Sequence, residues 1–277
     1  MKADWQVIGA AVQGLSHQKQ GLPCQDALEF RCLPDGVLLV ALADGAGSAT
    51  RSELGARAAV QAAVDSLASS LESSQPSDCC DWVEVFGDTF ESARAALIQL
   101  SEERDEPLHD FATTLTCLAA TPEQLIVGQL GDGAVVARGA DGVLDTVTTV
   151  QRGEYANETY FLTQEQALEQ VAVQVINLPM QALAVMSDGL TRLALKRPTN
   201  EPHLPFFEPL FAFVEALAPS NDGAQTSEAL TAFLASPRVC ERTDDDKALV
   251  LALRPCGEAD RFCSPLQPTI ARAAEYD

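Results

Sequence analysis

Apolar positions along this chain follow two periods, and the places where one gives way to the other mark its elements. Residues 5–15, 26–34 and 33–44 alternate or run apolar over lengths that suit strands, and Asp35-Gly36 between the last two is a hairpin turn signal. Over residues 50–71 the spacing becomes helical: Leu54, Ala58, Val64, Leu67 and Leu71 share one face, and Thr50 and Glu53 stand at capping-box separation. A second helix is predicted over 81–103 by Trp82, Phe86, Phe90, Ala93, Leu97 and Leu100, with residues 75–80 as the connecting turn. Strands resume at 113–121, 123–133 and 134–145, the last folded back at Asp141-Gly142. From about 146 to 180 the pattern weakens, which predicts a surface flap. The run 182–190 returns to the sheet, helices are centred on 209–218 and 227–235, and 247–255 is a closing strand. The remainder from Cys256 reads as irregular.

Strands and helix pairs arrive in blocks without strand-helix-strand alternation, which predicts an α+β fold of antiparallel sheets covered by helices. A chain of 277 residues with 47% apolar content can bury one large core, so we expect a single domain over 1–255 and a C-terminal tail over 256–277.

Charge narrows the functional classes. Forty acidic residues against 18 basic ones give a net charge of −22, and no cluster of Lys and Arg offers a nucleic-acid footprint. Asp4 stands where a signal peptide would be positive, Gln13 breaks the first apolar stretch, and no later run approaches membrane-spanning length. The expectation is a cytoplasmic protein with neither membrane nor nucleic acid as partner. Eight cysteines without a Cys-x-x-Cys, and with only Cys79 and Cys80 adjacent, read as reduced thiols rather than a zinc or disulfide framework.

The chemistry lies in the Asp-Gly pairs. Asp35, Asp141 and Asp222 precede glycines in turns or loops, where turn geometry explains them. Asp44, Asp132 and Asp188 instead end apolar strands, and Asp244, Asp245 and Asp246 immediately precede the final strand, so the strand ends point to one acidic rim. Asp132 can also be read as the apex of a tight hairpin. Carboxylates gathered without cations repel and raise one another's pKa, so such a rim is normally neutralised by metal. Oxygen ligands, with no His or Cys at ligand spacing, favour Mg²⁺ or Mn²⁺ over zinc. Glycine after Asp44 would let a backbone carbonyl approach an ion.

In order and spacing, "GLSHQKQGLPCQDA", "ALADGAGS", "FATTLTCLAAT", "GQLGDGAVVAR", "VMSDGLT" and "DDDKALVLAL" resemble the metal-dependent serine/threonine protein phosphatases of type 2C, the PPM family, over roughly residues 8 to 254. The wording around "SH" and "PCQDA", together with "GEYANETYFLT", looks like its compact bacterial branch. The resemblance implies a four-layer α-β-β-α sandwich with two central antiparallel sheets, flanked by helix pairs, and phosphomonoester hydrolysis by a water activated between two Mn²⁺ or Mg²⁺ ions. It implies Asp44 as the bridging ligand, Gly45 as a carbonyl ligand, Asp188 and Asp245 on the first ion, Asp26 ordering a water, and Asp132 on a weaker third ion. Phosphorylated proteins are the implied substrates of a monomer, opposed by a Ser/Thr kinase.

The chain departs from the family pattern at four places. Gln25 stands where many relatives carry Glu, Ala46 where many carry His, Ala248 where the last strand opens on Thr, and "GLPCQDA" lacks the phosphate-anchoring Arg. His17, Lys19 or Arg51 could bind phosphate in its place. Two other readings therefore stay open: a catalytically weak module that binds phosphoprotein or a partner, and a phosphatase of a small phosphorylated metabolite.

Overall fold

The computed structural model describes residues 5–73, 76, 78–148, 159–217, 223–254 and 269–272. The first half holds β1 (Gln6–Val12), α1 (Leu15–Gln20), β2 (Asp26–Leu33), β3 (Val37–Asp44), α2 (Ser52–Ser73), α3 (Cys79–Arg104), β4 (Leu115–Ala120), β5 (Leu125–Leu130), β6 (Ala134–Gly139) and β7 (Leu144–Thr146). The second half holds β8 (Ala172–Ile176), β9 (Met180–Met186), α4 (Asp188–Ala194), β10 (Leu195–Lys196), β11 (Glu201–Pro202), α5 (Leu204–Glu215), α6 (Gly223–Leu234), α7 (Pro237–Cys240), β12 (Lys247–Leu253) and β13 (Thr269–Arg272).

Two antiparallel sheets pack face to face, one ordered β1-β12-β9-β6-β7 and the other β13-β8-β5-β4-β3-β2. The alternation along β3 shows why. Leu38, Val40 and Leu42 enter the core between the sheets with Val127, Val185 and Val250, while Leu39, Ala41 and Ala43 face α2 and α3. The helical periods do what their spacing predicts: Trp82, Phe86, Phe90, Ala93 and Leu97 are buried against the second sheet, as are Val64 and Leu67. On the other side Phe207, Phe211, Leu230 and Leu234 cover Leu249 and Leu251 of β12. The result is the expected α-β-β-α sandwich.

Turn chemistry also holds where it is local. Asp35 and Gly36 both take positive φ (65° and 77°) in the three-residue turn Pro34–Gly36 that joins the paired Leu33 and Val37, and Gly142 does so at 78° in the turn before β7. Asp222 and most of 153–163 lie outside the described residues.

Three expectations are corrected. The flap is shorter than 146–180, because β8 pairs with β5 inside the second sheet and buries Val173, Gln174, Val175 and Ile176. Leu162, Ala167 and Val171 also join the α3 side of the core, and the Arg94 guanidinium donates to the carbonyls of Leu162 and Gln164. Part of the tail is regular, since β13 pairs with β8 and caps an edge that would otherwise leave backbone groups unpaired. Finally, α2 begins at Ser52, with the N–H groups of Leu54 and Gly55 donating to the Arg51 carbonyl (3.0 and 3.1 Å), so Arg51 rather than Thr50 takes the cap position. Cys24, Cys79, Cys117 and Cys240 are free thiols, and no helix among the described residues is long and apolar enough to cross a membrane.

Candidate metal centre

Five strand ends from the two sheets meet on one rim. β2 and β3 pair in register with Asp26 directly opposite Asp44. The backbone of Asp44 is then pinned by the approach to β4: its N–H donates to Thr114 Oγ1 (3.0 Å), and its carbonyl accepts from Thr114 N–H (2.8 Å) and Thr113 Oγ1 (3.0 Å). Gly45 is required by crowding, because a Cβ there would lie 2.7 Å from Ser52 Cβ and 2.9 Å from the Gln25 carbonyl oxygen. Asp132 sits where the chain crosses from β5 in one sheet to β6 in the other. Gln129 Nε2 braces that crossing by donating to the carbonyls of Gly131 (3.2 Å) and Gly133 (2.7 Å), and Thr159 Oγ1 donates to Asp132 Oδ2 (3.0 Å). Asp188 opens α4 directly after β9, and Asp245 precedes β12.

Carboxylate oxygens of Asp44, Asp132 and Asp188 lie within 4.8 Å of one another. They line a cavity of about 200 Å³ together with His17, Gln25, Gly45, Ala46, Thr114, Thr159, Asp245 and Asp246. Asp26 stands behind its wall, where Oδ2 accepts from Ser187 Oγ (2.7 Å); the same hydroxyl accepts from the Ala248 N–H (2.9 Å).

Burial dominates the electrostatics. It lifts the Asp26 carboxyl to about 8 and the Asp188 carboxyl to about 6, and it holds Asp44 well above the ordinary carboxylate range. Neighbouring carboxylates add to each shift, whereas the Ser187 hydroxyl offsets part of it for Asp26. Among the described residues, no Arg or Lys lines the cavity to compensate. A hard divalent cation would, and the donor set fits one: oxygen ligands dominate the wall, and the buried Gln25 Oε1 has no donor among the described residues.

The acidic run before β12 splits into different environments. Asp244 is exposed, and its carbonyl accepts from the N–H (2.9 Å) and hydroxyl (2.7 Å) of Ser16. Asp245 reaches the cavity. Asp246 is 3% exposed and acts as a clamp, with Oδ1 accepting from Gly14 N–H (2.6 Å) and Oδ2 from Gln25 N–H (2.5 Å) and His17 Nδ1 (2.9 Å). Lys247 is fully buried beside it and donates from Nζ to the Asp245 carbonyl (3.0 Å).

Of the three phosphate-binding choices, His17 alone lines the cavity; Lys19 is exposed elsewhere, and Arg51 pairs with Glu106 (3.0 Å) outside it. Ser187, Thr159, Gln129 and Asp246 were not singled out by the sequence. Only Asp246, inside the acidic run, carried a signal that could have drawn attention to it.

The sequence pattern of the family described as Protein phosphatase 2C matches residues 13–235. The chain belongs to this family. A curated relative, Serine/threonine-protein phosphatase 3 of Escherichia coli (strain K12), is 35% identical over 254 residues, covering 90% of this chain and 98% of the relative. Solved structures share the fold. Serine/threonine phosphatase Stp1 from Staphylococcus aureus superposes with a TM-score of 0.58 at 14% identity, over 92% of this chain and 98% of that one. The catalytic domain of serine threonine protein phosphatase PstP, solved in complex with two manganese ions, gives 0.55 at 17% identity over 90% and 97%.

Proposed function

We propose that the acidic rim hydrolyses phosphoserine and phosphothreonine in proteins with the help of Mn²⁺ or Mg²⁺. The observation that carries this reading is the convergence of Asp44, Asp132 and Asp188 in a cavity that, among the described residues, has no arginine or lysine in its wall. Asp44 would bridge two ions, with the Gly45 carbonyl beside it; Asp188 and Asp245 would hold the first ion, and Asp132 a weaker third. Such a pair, when bound, supplies a nucleophilic water at neutral pH and positive charge toward the phosphoryl group.

The protein's own part is positional. Ser187, fixed by the Ala248 N–H, points the Asp26 carboxylate at the rim from behind, which suits Asp26 to orient the attacking water. Thr159 restrains Asp132 in the same way. At about 200 Å³ the cavity is smaller than the roughly 300–1,000 Å³ of typical small-molecule pockets, so it suits a phosphoryl group with the rest of the substrate outside. That favours a protein substrate over a small metabolite. Outside, the surface of a chain with net charge −22 attracts basic sequence around the phosphosite, most strongly at low salt. The reading implies an opposing Ser/Thr kinase.

The test is turnover with Mn²⁺ on matched phosphothreonine, phosphoserine and phosphotyrosine peptides, with basic or acidic flanks. Phosphothreonine and phosphoserine are expected to be cleaved faster than phosphotyrosine, and basic flanks to help at low ionic strength. Faster cleavage of phosphotyrosine would overturn the assignment.

A further inference from the structure

Cleaving an alkyl phosphomonoester leaves an alkoxide that needs a proton, and few of the described side chains that line this cavity can supply one. Among the described residues that line it, Ala46 after Asp44-Gly45 has no acidic proton, no Lys or Arg is present, and the hydroxyls of Thr114 and Thr159 are far weaker acids than an imidazolium. We propose that His17 donates the leaving-group proton from Nε2, held in place by Asp246; this rests on the phosphatase reading of the rim.

The geometry is specific. His17 Nδ1 meets Asp246 Oδ2 at 2.9 Å, and the same carboxylate is anchored by the Gly14 and Gln25 N–H groups, so it cannot turn away without losing three bonds. A carboxylate on one ring nitrogen fixes the orientation of the imidazole and leaves the other nitrogen to act. Nε2 has no partner among the described residues, yet the side chain is only 12% exposed and lines the cavity that holds Asp44 and Asp188. The segment carrying His17 is pressed onto the acidic run: Ser16 bonds to the Asp244 carbonyl, and a Cβ on Gly14 would lie 2.3 Å from the Asp245 carbonyl carbon. His17 is thus registered against Asp245 through a few short backbone contacts.

In the step, the oxygen of the attacking water bonds to phosphorus while the bond from phosphorus to the Ser or Thr oxygen breaks. That oxygen keeps the bonding pair and takes the proton from Nε2, leaving a neutral ring that still carries its proton on Nδ1 and donates it to Asp246. The proton lost to solvent by the attacking water restores the ring, and the products are inorganic phosphate and the free hydroxyl.

His17→Gln and His17→Asn separate this role from others when assayed with Mn²⁺ on two substrates. A phosphothreonine peptide needs the proton, whereas p-nitrophenyl phosphate releases a stabilised phenolate and does not. The expected result is a loss of about 10²–10⁴-fold in kcat on the peptide, the range of general acid catalysis, with p-nitrophenyl phosphate turnover kept within a few-fold. Equal losses on both substrates would make His17 a phosphate anchor and overturn the donor role alone, as would no loss on either. Absence of turnover by the unsubstituted protein on both substrates would overturn the phosphatase reading and this proposal with it.

His17→Asn can keep an N–H donor near the Nδ1 position for Asp246 and should melt close to the parent protein; early melting of that variant would assign His17 to structure and overturn the proposal. Nitrogen-15 NMR of the metal-free protein gives a readout independent of activity. The His17 Nδ1 proton should exchange with water far more slowly than the ring protons of His109, whose side chain is 81% exposed. Equal exchange would show that Asp246 does not hold the ring, and would overturn the inference.

Discussion

Asp44→Asn is expected to lower turnover of a phosphothreonine peptide about a thousandfold or more while raising the melting temperature of the metal-free protein. Losing the carboxylate proposed to bridge two ions would remove an electrostatic contribution of several kcal/mol to the transition state, and each 1.36 kcal/mol is a factor of ten. Stability should move the other way. The Asp44 carboxyl is held well above the ordinary range by burial first and by Asp26 and Asp188 next, so at neutral pH its ionised form works against the fold. Asparagine has the same shape without the charge, and the bonds that pin this residue, to Thr113 and Thr114, come from its backbone. A purely structural Asp44 would give the opposite pair, a variant that melts early and keeps its rate in proportion to the folded fraction. Activity assays and melts on the same preparation separate the two.

Metal-free protein should lose stability as pH rises from about 4 to about 8. The folded-state values for Asp26 (about 8) and Asp188 (about 6) lie above the ordinary carboxylate value, and Asp44 shifts the same way. Over that window the folded state binds more protons than the unfolded chain, so raising the pH favours unfolding. A single group contributes up to about 1.4 kcal/mol per pH unit between its unfolded and folded values. The contribution of Asp188 should be spent by about pH 6 and that of Asp26 by about pH 8. Millimolar Mn²⁺ should flatten or reverse the trend, because it competes with protons for the same oxygens and binds better as they leave. Melts in chelator and in Mn²⁺ between pH 5 and pH 8 check this; a melting temperature that rises with pH in chelator would show that the carboxylates are already compensated within the protein.

What the sequence revealed, and what it hid, follows from how local each signal is. The helices α2 and α3 were legible because each presents several turns of 3.6-residue spacing, and Asp35 and Gly142 because turn geometry is set within a few residues. The rim was legible because Asp44, Asp132 and Asp188 each end a buried strand on a polar residue followed by glycine, an arrangement with little packing value of its own. By contrast, α1 has six residues and no buried side chain, so no periodicity announces it. β8 escaped because it is five residues long and nearly all buried, with Gln174 interrupting its apolar run. Nothing local distinguishes the three consecutive aspartates. Asp246 turns inward only because Gly14, His17 and Gln25, more than 200 residues away in the chain, bring three donors to it. The same long-range contact decided which of His17, Lys19 and Arg51 reaches the cavity. Ser187 was hidden because a serine before Asp-Gly has no distinctive pattern, although its hydroxyl links Asp26 to β12.

The most direct test of the central claim is hydrolysis of a phosphothreonine peptide by the full-length protein, stripped of metal and titrated with Mn²⁺. Turnover that is absent in excess chelator, appears with added Mn²⁺ and is lost again on chelation is the expected result. Full activity in excess chelator would contradict it.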